Sequence, residues 1–246
     1  MKRIERHKLK ENEFARTVAH ARTVLEARQR DITTGLIVAI VALVGIGGFV
    51  WWRQARNAHA NELLGTALAV YDAPVVPLAA PAPGSPAPVP QPGTYPTEQA
   101  KLEAALPRFQ EAADRYPSAQ GGIAARFHQA SILASMGRYP DAEKAYQDVV
   151  DKAGNSIYGR TARLGLADAQ VAQGKYDTAI AIYTELSRAT DSHIPVDGIL
   201  MQLGRAYAKA GRKEEAVRAY NRVVQEFPQS LYAADARREL EDVKKS

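Results

Sequence analysis

Apolar and polar positions fall into distinct regimes along this chain of 246 residues. Residues 1–31 are polar and charged, with Phe14, Val18, Ala21 and Leu25 at helical spacing, which predicts an amphipathic helix. Residues 32–52, ITTGLIVAIVALVGIGGFVWW, carry no charge and are bounded by Asp31 and Arg53. From Thr97 to the end the apolar spacing is helical again, and a fixed period runs through it. GRYPDAEKAYQDVV from Gly137 returns as GKYDTAIAIYTELS from Gly174 and as GRKEEAVRAYNRVV from Gly211, each time 37 residues on. Gly137, Gly174 and Gly211 are in step, as are Ala142, Ala179 and Ala216, and Tyr146, Tyr183 and Tyr220. A period of this length marks stacked helical hairpins, none of which buries its apolar face alone. The glycine makes the tight turn, where a Cβ is penalised. The alanine lets two helices approach closely, and the tyrosine, four residues on along the same face, fills the space between hairpins.

The uncharged block predicts a transmembrane helix. At about 1.5 Å per residue its length is roughly 31 Å, the thickness of a bilayer core. Trp51 and Trp52 stand at one end, where indole rings favour the interface. Residues 53–72, with Leu63, Leu64, Leu68 and Tyr71 in a stripe, predict a further helix. Residues 73–97 hold nine prolines and predict an extended, proline-rich flexible loop. The repeat register carries back from Ala142 and Tyr146 to Ala105 and Phe109, placing another second helix at 98–116. Its first-helix partner cannot form on the prolines. The reading is therefore a split first hairpin, with helix 54–72, the proline-rich insertion, and helix 98–116. Repeats fill 98–228, and 229–246 reads as a capping helix over the last apolar edge.

Charge orients the chain and narrows its partners. Nine Lys/Arg precede the apolar block, and only Arg53 and Arg56 follow it before Lys101. Positive-inside asymmetry puts the N-terminus in the cytoplasm and the repeats across the membrane, in the periplasm if the cell is bacterial. A cleaved leader ending at Ala58-His59-Ala60 is the rival, but the polar segment is long and acidic for one. Residues 98–246 balance 21 Lys/Arg against 20 Asp/Glu, which argues against a nucleic-acid partner. There is no cysteine, so disulfides, thiolate metal sites and lipoprotein acylation are excluded.

The last unit carries a family likeness. Leu200, Leu203-Gly204, Tyr207, Gly211, Ala216, Tyr220 and Pro228 occupy the positions of a tetratricopeptide repeat (TPR). The earlier units depart from it, with Ala130 and Ala167 in place of the first-helix glycine and Arg126 and Arg163 where an aromatic or leucine is usual. The fold class implied is all-α: a single transmembrane helix followed by a TPR-like solenoid. The layout as a whole resembles the ancillary Sec translocon subunits of the YfgM type, which implies translocon subunits, periplasmic chaperones or secretory chains as partners. The terminal EFPQSLYAADARREL also resembles the repeats of cell-division and outer-membrane-assembly proteins, which keeps an envelope scaffold as the alternative.

Candidate chemistry is sparse. His7, His20, His59, His128 and His193 form no metal-spaced pair, and Asp191-Ser192-His193 is a loop tripeptide. The expectation is no catalysis, no metal and no cofactor. The family resemblance implies a concave groove lined by first helices. In that frame Phe127, Leu164 and Met201 share one position 37 residues apart. Ser131, Asp168 and Arg205 share the next, then Ala134, Val171 and Ala208. These residues either face an amphipathic or extended partner segment or pack against the adjoining hairpin. The function expected is a membrane-anchored, periplasmic protein–protein interaction module at the inner membrane.

Overall fold

The computed structural model describes residues 29–78, 89–188 and 194–245, with side chains from residue 33. The amphipathic segment proposed for 1–31 lies almost wholly outside the described residues, as do 79–88 of the proline-rich stretch and the tripeptide 191–193. Nine helices and no strand occur among the described residues. They are α1 (Gln29–Tyr71), α2 (Glu98–Arg115), α3 (Gln120–Ser135), α4 (Tyr139–Ala153), α5 (Ile157–Ala172), α6 (Tyr176–Leu186), α7 (Val196–Lys209), α8 (Lys213–Glu226) and α9 (Ala233–Lys245). The chain divides into two units, residues 1–55 and 56–246, described separately.

In the first unit the helix is apolar on every side. Leu36, Ile40, Leu43, Ile46, Phe49 and Trp51 are all exposed. Among the described residues one helix is long and apolar enough to cross a membrane. The elements read separately at 32–52 and 53–72 form one unbroken helix of 43 residues. Nothing between Trp52 and Tyr71 removes a backbone donor, since no proline occurs there.

The second unit is a run of antiparallel hairpins, α3/α4, α5/α6 and α7/α8, each packed on the next. Three turn glycines hold φ of +74°, +76° and +73° at Gly137, Gly174 and Gly211. Each turn closes with the same bond. Arg138 N donates to Leu133 O at 2.8 Å, Lys175 N to Gln170 O at 2.9 Å, and Arg212 N to Tyr207 O at 2.9 Å. This bond caps carbonyls that the first helix of each hairpin leaves open. Behind the turns, Ala142, Ala179 and Ala216 are fully buried, and Tyr146, Tyr183 and Tyr220 nearly so.

Before these hairpins, Ala60 and Ala67 of α1 are fully buried. Leu63, Leu64, Leu68 and Tyr71 pack on the cluster around Phe109 of α2. The Tyr71 and Phe109 rings meet edge to face at 6.0 Å. The ends of the proline-rich insertion are tied together: Val75 bridges Tyr95, with Val76 N donating to Tyr95 O at 2.8 Å and Tyr95 N to Pro74 O at 3.1 Å. Thr97 then caps α2, its hydroxyl accepting from Ala100 N at 3.1 Å.

At the far end, α9 starts at Ala233, later than the 229 boundary read from sequence. Pro228 ends α8, Ser230 N bonds Phe227 O, and Ser230 Oγ accepts from Tyr232 N at 3.0 Å, so 227–232 is a turn. Gly204 matches the repeat motif because α7 and Tyr220 touch: a Cβ there would lie 2.4 Å from the Tyr220 ring.

Candidate functional site

The first helices α3, α5 and α7 place the groove positions in sequence order along the stack, but not in equal states. Phe127 is half-buried, its ring 5.9 Å from Tyr146 and 5.8 Å from Tyr158, both edge to face. Leu164 is half-buried against the core of the following hairpin, with Val171 beside that core. Met201 is 0% exposed and belongs to the core itself. A partner has no access to it, so this one of the three positions is taken by packing.

The polar row has a role that sequence spacing did not convey: the first two repeat tyrosines bond to it, and the third meets a substitute acceptor. Ser131 Oγ donates to Phe127 O at 3.1 Å, so the Tyr146 hydroxyl, 3.1 Å from Ser131 Oγ, is left to donate to it. One period on, the Tyr183 hydroxyl donates to the Asp168 carboxylate. One period further the position is Arg205, which offers no acceptor. There Glu239 enters from α9. It accepts from Tyr220 at 2.7 Å and from Arg205 Nε and Nη2 at 2.9 and 2.6 Å. A sequence signal existed for Glu239, because a tyrosine paired with arginine in this row needs an acid from elsewhere.

Titration follows these surroundings. Burial pushes the Asp168 carboxyl up, against the Tyr183 bond that pulls it down. Burial, then Asp168, push Tyr183 far up, and burial with the Glu239 bond does the same to Tyr220. Burial acts to raise Glu239, but the Arg205 and Tyr220 hydrogen bonds outweigh it and hold it below the usual carboxylate range. The arrangement is a half-apolar stripe, Phe127, Leu164 and Val171, edged by polar groups already fixed in place. It suits recognition of a polypeptide segment. Among the described residues no group of three His, Asp or Glu side chains is placed to hold a metal.

Sequence reasoning missed a second set of exposed side chains. Ile157 and Tyr158 open α5, and Leu231 and Tyr232 precede α9, two periods on, with Leu231 96% exposed. The recurrence of IYG as LYA at that spacing was the available signal.

The sequence profile of the tetratricopeptide repeat-like domain matches residues 26–244. No curated protein is significantly similar in sequence. Among solved structures, the chain is similar to the nearly identical TPR-like repeats of a Podosopora anserina protein described as a kinesin light chain. The TM-score is 0.52 at 17% identity, over 59% of this chain and 78% of that one. It is also similar to a tetratricopeptide repeat protein from Parabacteroides merdae, with TM-score 0.50 at 16% identity, over 60% of this chain and 56% of that one. At these identities the likeness is one of fold.

Proposed function

This chain belongs to the tetratricopeptide repeat-like family, and on that premise we propose that it is a membrane-anchored, non-catalytic module that holds partner proteins along its first helices. TPR-like repeats bind other proteins, and the observation that carries the reading here is the stripe of Phe127, Leu164 and Val171. These apolar groups are only half-buried, and they sit beside hydroxyl and carboxylate groups locked by Tyr146 and Tyr183. Such a surface loses little freedom on binding. A stretch of unfolded or amphipathic polypeptide gains by covering it.

The exposed apolar length of α1 supports an anchor, with the Lys/Arg excess before it and the repeats on the opposite side of the inner membrane. In this reading the partners are secretory chains, their chaperones or translocon subunits, and no cofactor takes part. The alternative, an anchored scaffold for division, wall or outer-membrane assembly, is favoured only by the EFPQSLYAADARREL segment. Photocrosslinkers placed at Phe127 and Leu164 in intact membranes, followed by mass spectrometry, test both. Recovery of translocon subunits or secretory chains supports the first reading, and division or wall-synthesis proteins the second. Turnover of a substrate by the purified chain, abolished by one titratable substitution, overturns both.

A further inference from the structure

The repeat hides a second periodic position, one residue back from the Phe127 row and so about 100° around the first helices. At the first junction Arg126 of α3 reaches between Asp114 of α2 at 2.5 Å and Asp148 of α4 at 3.0 Å. One period on, Arg163 of α5 takes Glu185 of α6 at 3.5 Å. Both junctions therefore carry an arginine paired with acid, on both flanking second helices at the first and on α6 alone at the second. At the third junction the residues in register with Asp114, Arg126 and Asp148 are Arg188, Leu200 and Arg222. The order of charges is inverted, and Leu200, 0% exposed, supplies nothing to balance it.

A cleft occupies this junction. It encloses about 200 Å³ between α6, α7 and α8, and its lining includes Leu203, Tyr207, Arg188, Arg218 and Arg222. Arg222 is held by Glu226 at 2.7 and 3.0 Å, and Glu215 on the rim is engaged by Arg212 at 2.9 Å. The side chains of Arg188 and Arg218 make no hydrogen bond or close ion pair among the described residues, though Arg218 lies within electrostatic reach of Glu215. The lining itself thus sets three arginines against one glutamate, and Arg212 beyond it is shared between Glu215 and Asp177. The space is below the roughly 300 Å³ at which small-molecule pockets begin, and it suits a side chain or a small anion. Guanidinium groups match a carboxylate in two-pronged geometry, and the floor of Leu203 and Tyr207 favours an apolar neighbour to that carboxylate.

We propose that the α6–α7–α8 cleft is a second docking site, which takes an acidic side chain of a partner protein, a glutamate or aspartate flanked by an apolar residue. The test is an NMR titration of the full chain in detergent micelles with acetyl-Leu-Glu-Glu-Leu-amide, its Gln-Gln counterpart and inorganic phosphate. The glutamate peptide shifts α6–α8 amides and saturates, whereas the glutamine peptide does not. R188E/R218E weakens the glutamate peptide about tenfold or more, since bonds to charged groups are being removed. If that variant loses helicity, R188Q/R218Q takes its place. Equal binding of the two peptides overturns the proposal, as do undiminished binding in the variants and shifts centred on Phe127 and Leu164. Phosphate binding more tightly than the peptide makes this a small-anion site and also overturns the assignment to a protein partner. Because the Phe127 row is left intact in these variants, the outcome is independent of crosslinking there.

Discussion

One carboxylate joins the final helix to the last hairpin, and its removal has a calculable signature. Glu239 of α9 takes the Tyr220 hydroxyl at 2.7 Å and the Arg205 guanidinium at 2.6 and 2.9 Å. Tyr220 is 1% exposed, so Glu239→Ala strands its hydroxyl away from water, at about 1–3 kcal/mol. Arg205 is more than a third exposed and is rehydrated, so the ion pair contributes only about 0.3–1 kcal/mol. Together these give a loss of about 1.3–4 kcal/mol for Glu239→Ala. Tyr220→Phe leaves Glu239 with Arg205 and costs about 1 kcal/mol. Combining the two removes the stranded hydroxyl, so the double variant is no worse than Glu239→Ala, a coupling of at least about 1 kcal/mol. Chemical denaturation of the full chain in micelles, followed by circular dichroism, with hydrogen exchange of the α9 amides, reads the cycle. The dependence on acid gives a second check. Glu239 is held below its ordinary 4.5 in the fold, so its contribution is complete above that value and fades as pH falls through the folded one. Strictly additive variants, or a wild-type minus Glu239→Gln difference that does not shrink on acidification, refute the reasoning.

The remaining predictions concern turns, core, row and anchor. Gly137→Ala, Gly174→Ala and Gly211→Ala each force a side chain into positive φ and destabilise by about 1–2 kcal/mol in thermal melts. Gly65→Ala, a helical position open on all sides, stabilises by about 0.4–1 kcal/mol. Met201→Ala costs about 2–5 kcal/mol in the same melts, and Leu164→Ala less, because Leu164 is only half-buried. Asp168 has its carboxyl raised by burial, so it favours the fold below its unperturbed 3.8 and loses that contribution as pH rises through the folded value. Asp168→Asn therefore removes a stability slope of opposite sign to that of Glu239, measured by pH-dependent melts. Ala42→Lys puts a charge at the middle of the apolar block, at about 2.5–3.5 kcal/mol, and shifts the chain from the membrane pellet toward the carbonate-soluble fraction.

The glycine, alanine and tyrosine of each repeat were legible because each meets a local demand that one residue type satisfies: positive φ, close approach, and a long flat filler. The helical hairpins followed from them. What stayed hidden depends on distant partners. Met201 and Phe127 share a sequence position, yet one is sealed by the α7–α8 core and the other leans on Tyr146 at the surface. Glu239 lies 34 residues from Arg205, and only the fold brings them together. Arg126 looked like a flaw in the motif until Asp114 and Asp148 stood on either side of it. The continuity of α1 was missed because composition changes at Arg53 while backbone propensity does not.

The bridge between Val75 and Tyr95 has a practical outcome for anyone rebuilding this molecule. The chain departs at one valine and comes home at one tyrosine, so the two ends of whatever lies between are held side by side. Doubling the intervening length adds only about 0.6 kcal/mol of closure entropy. A foreign epitope, or a whole small domain whose own ends lie close together, can be housed there without unseating Phe109 from the helix beneath it.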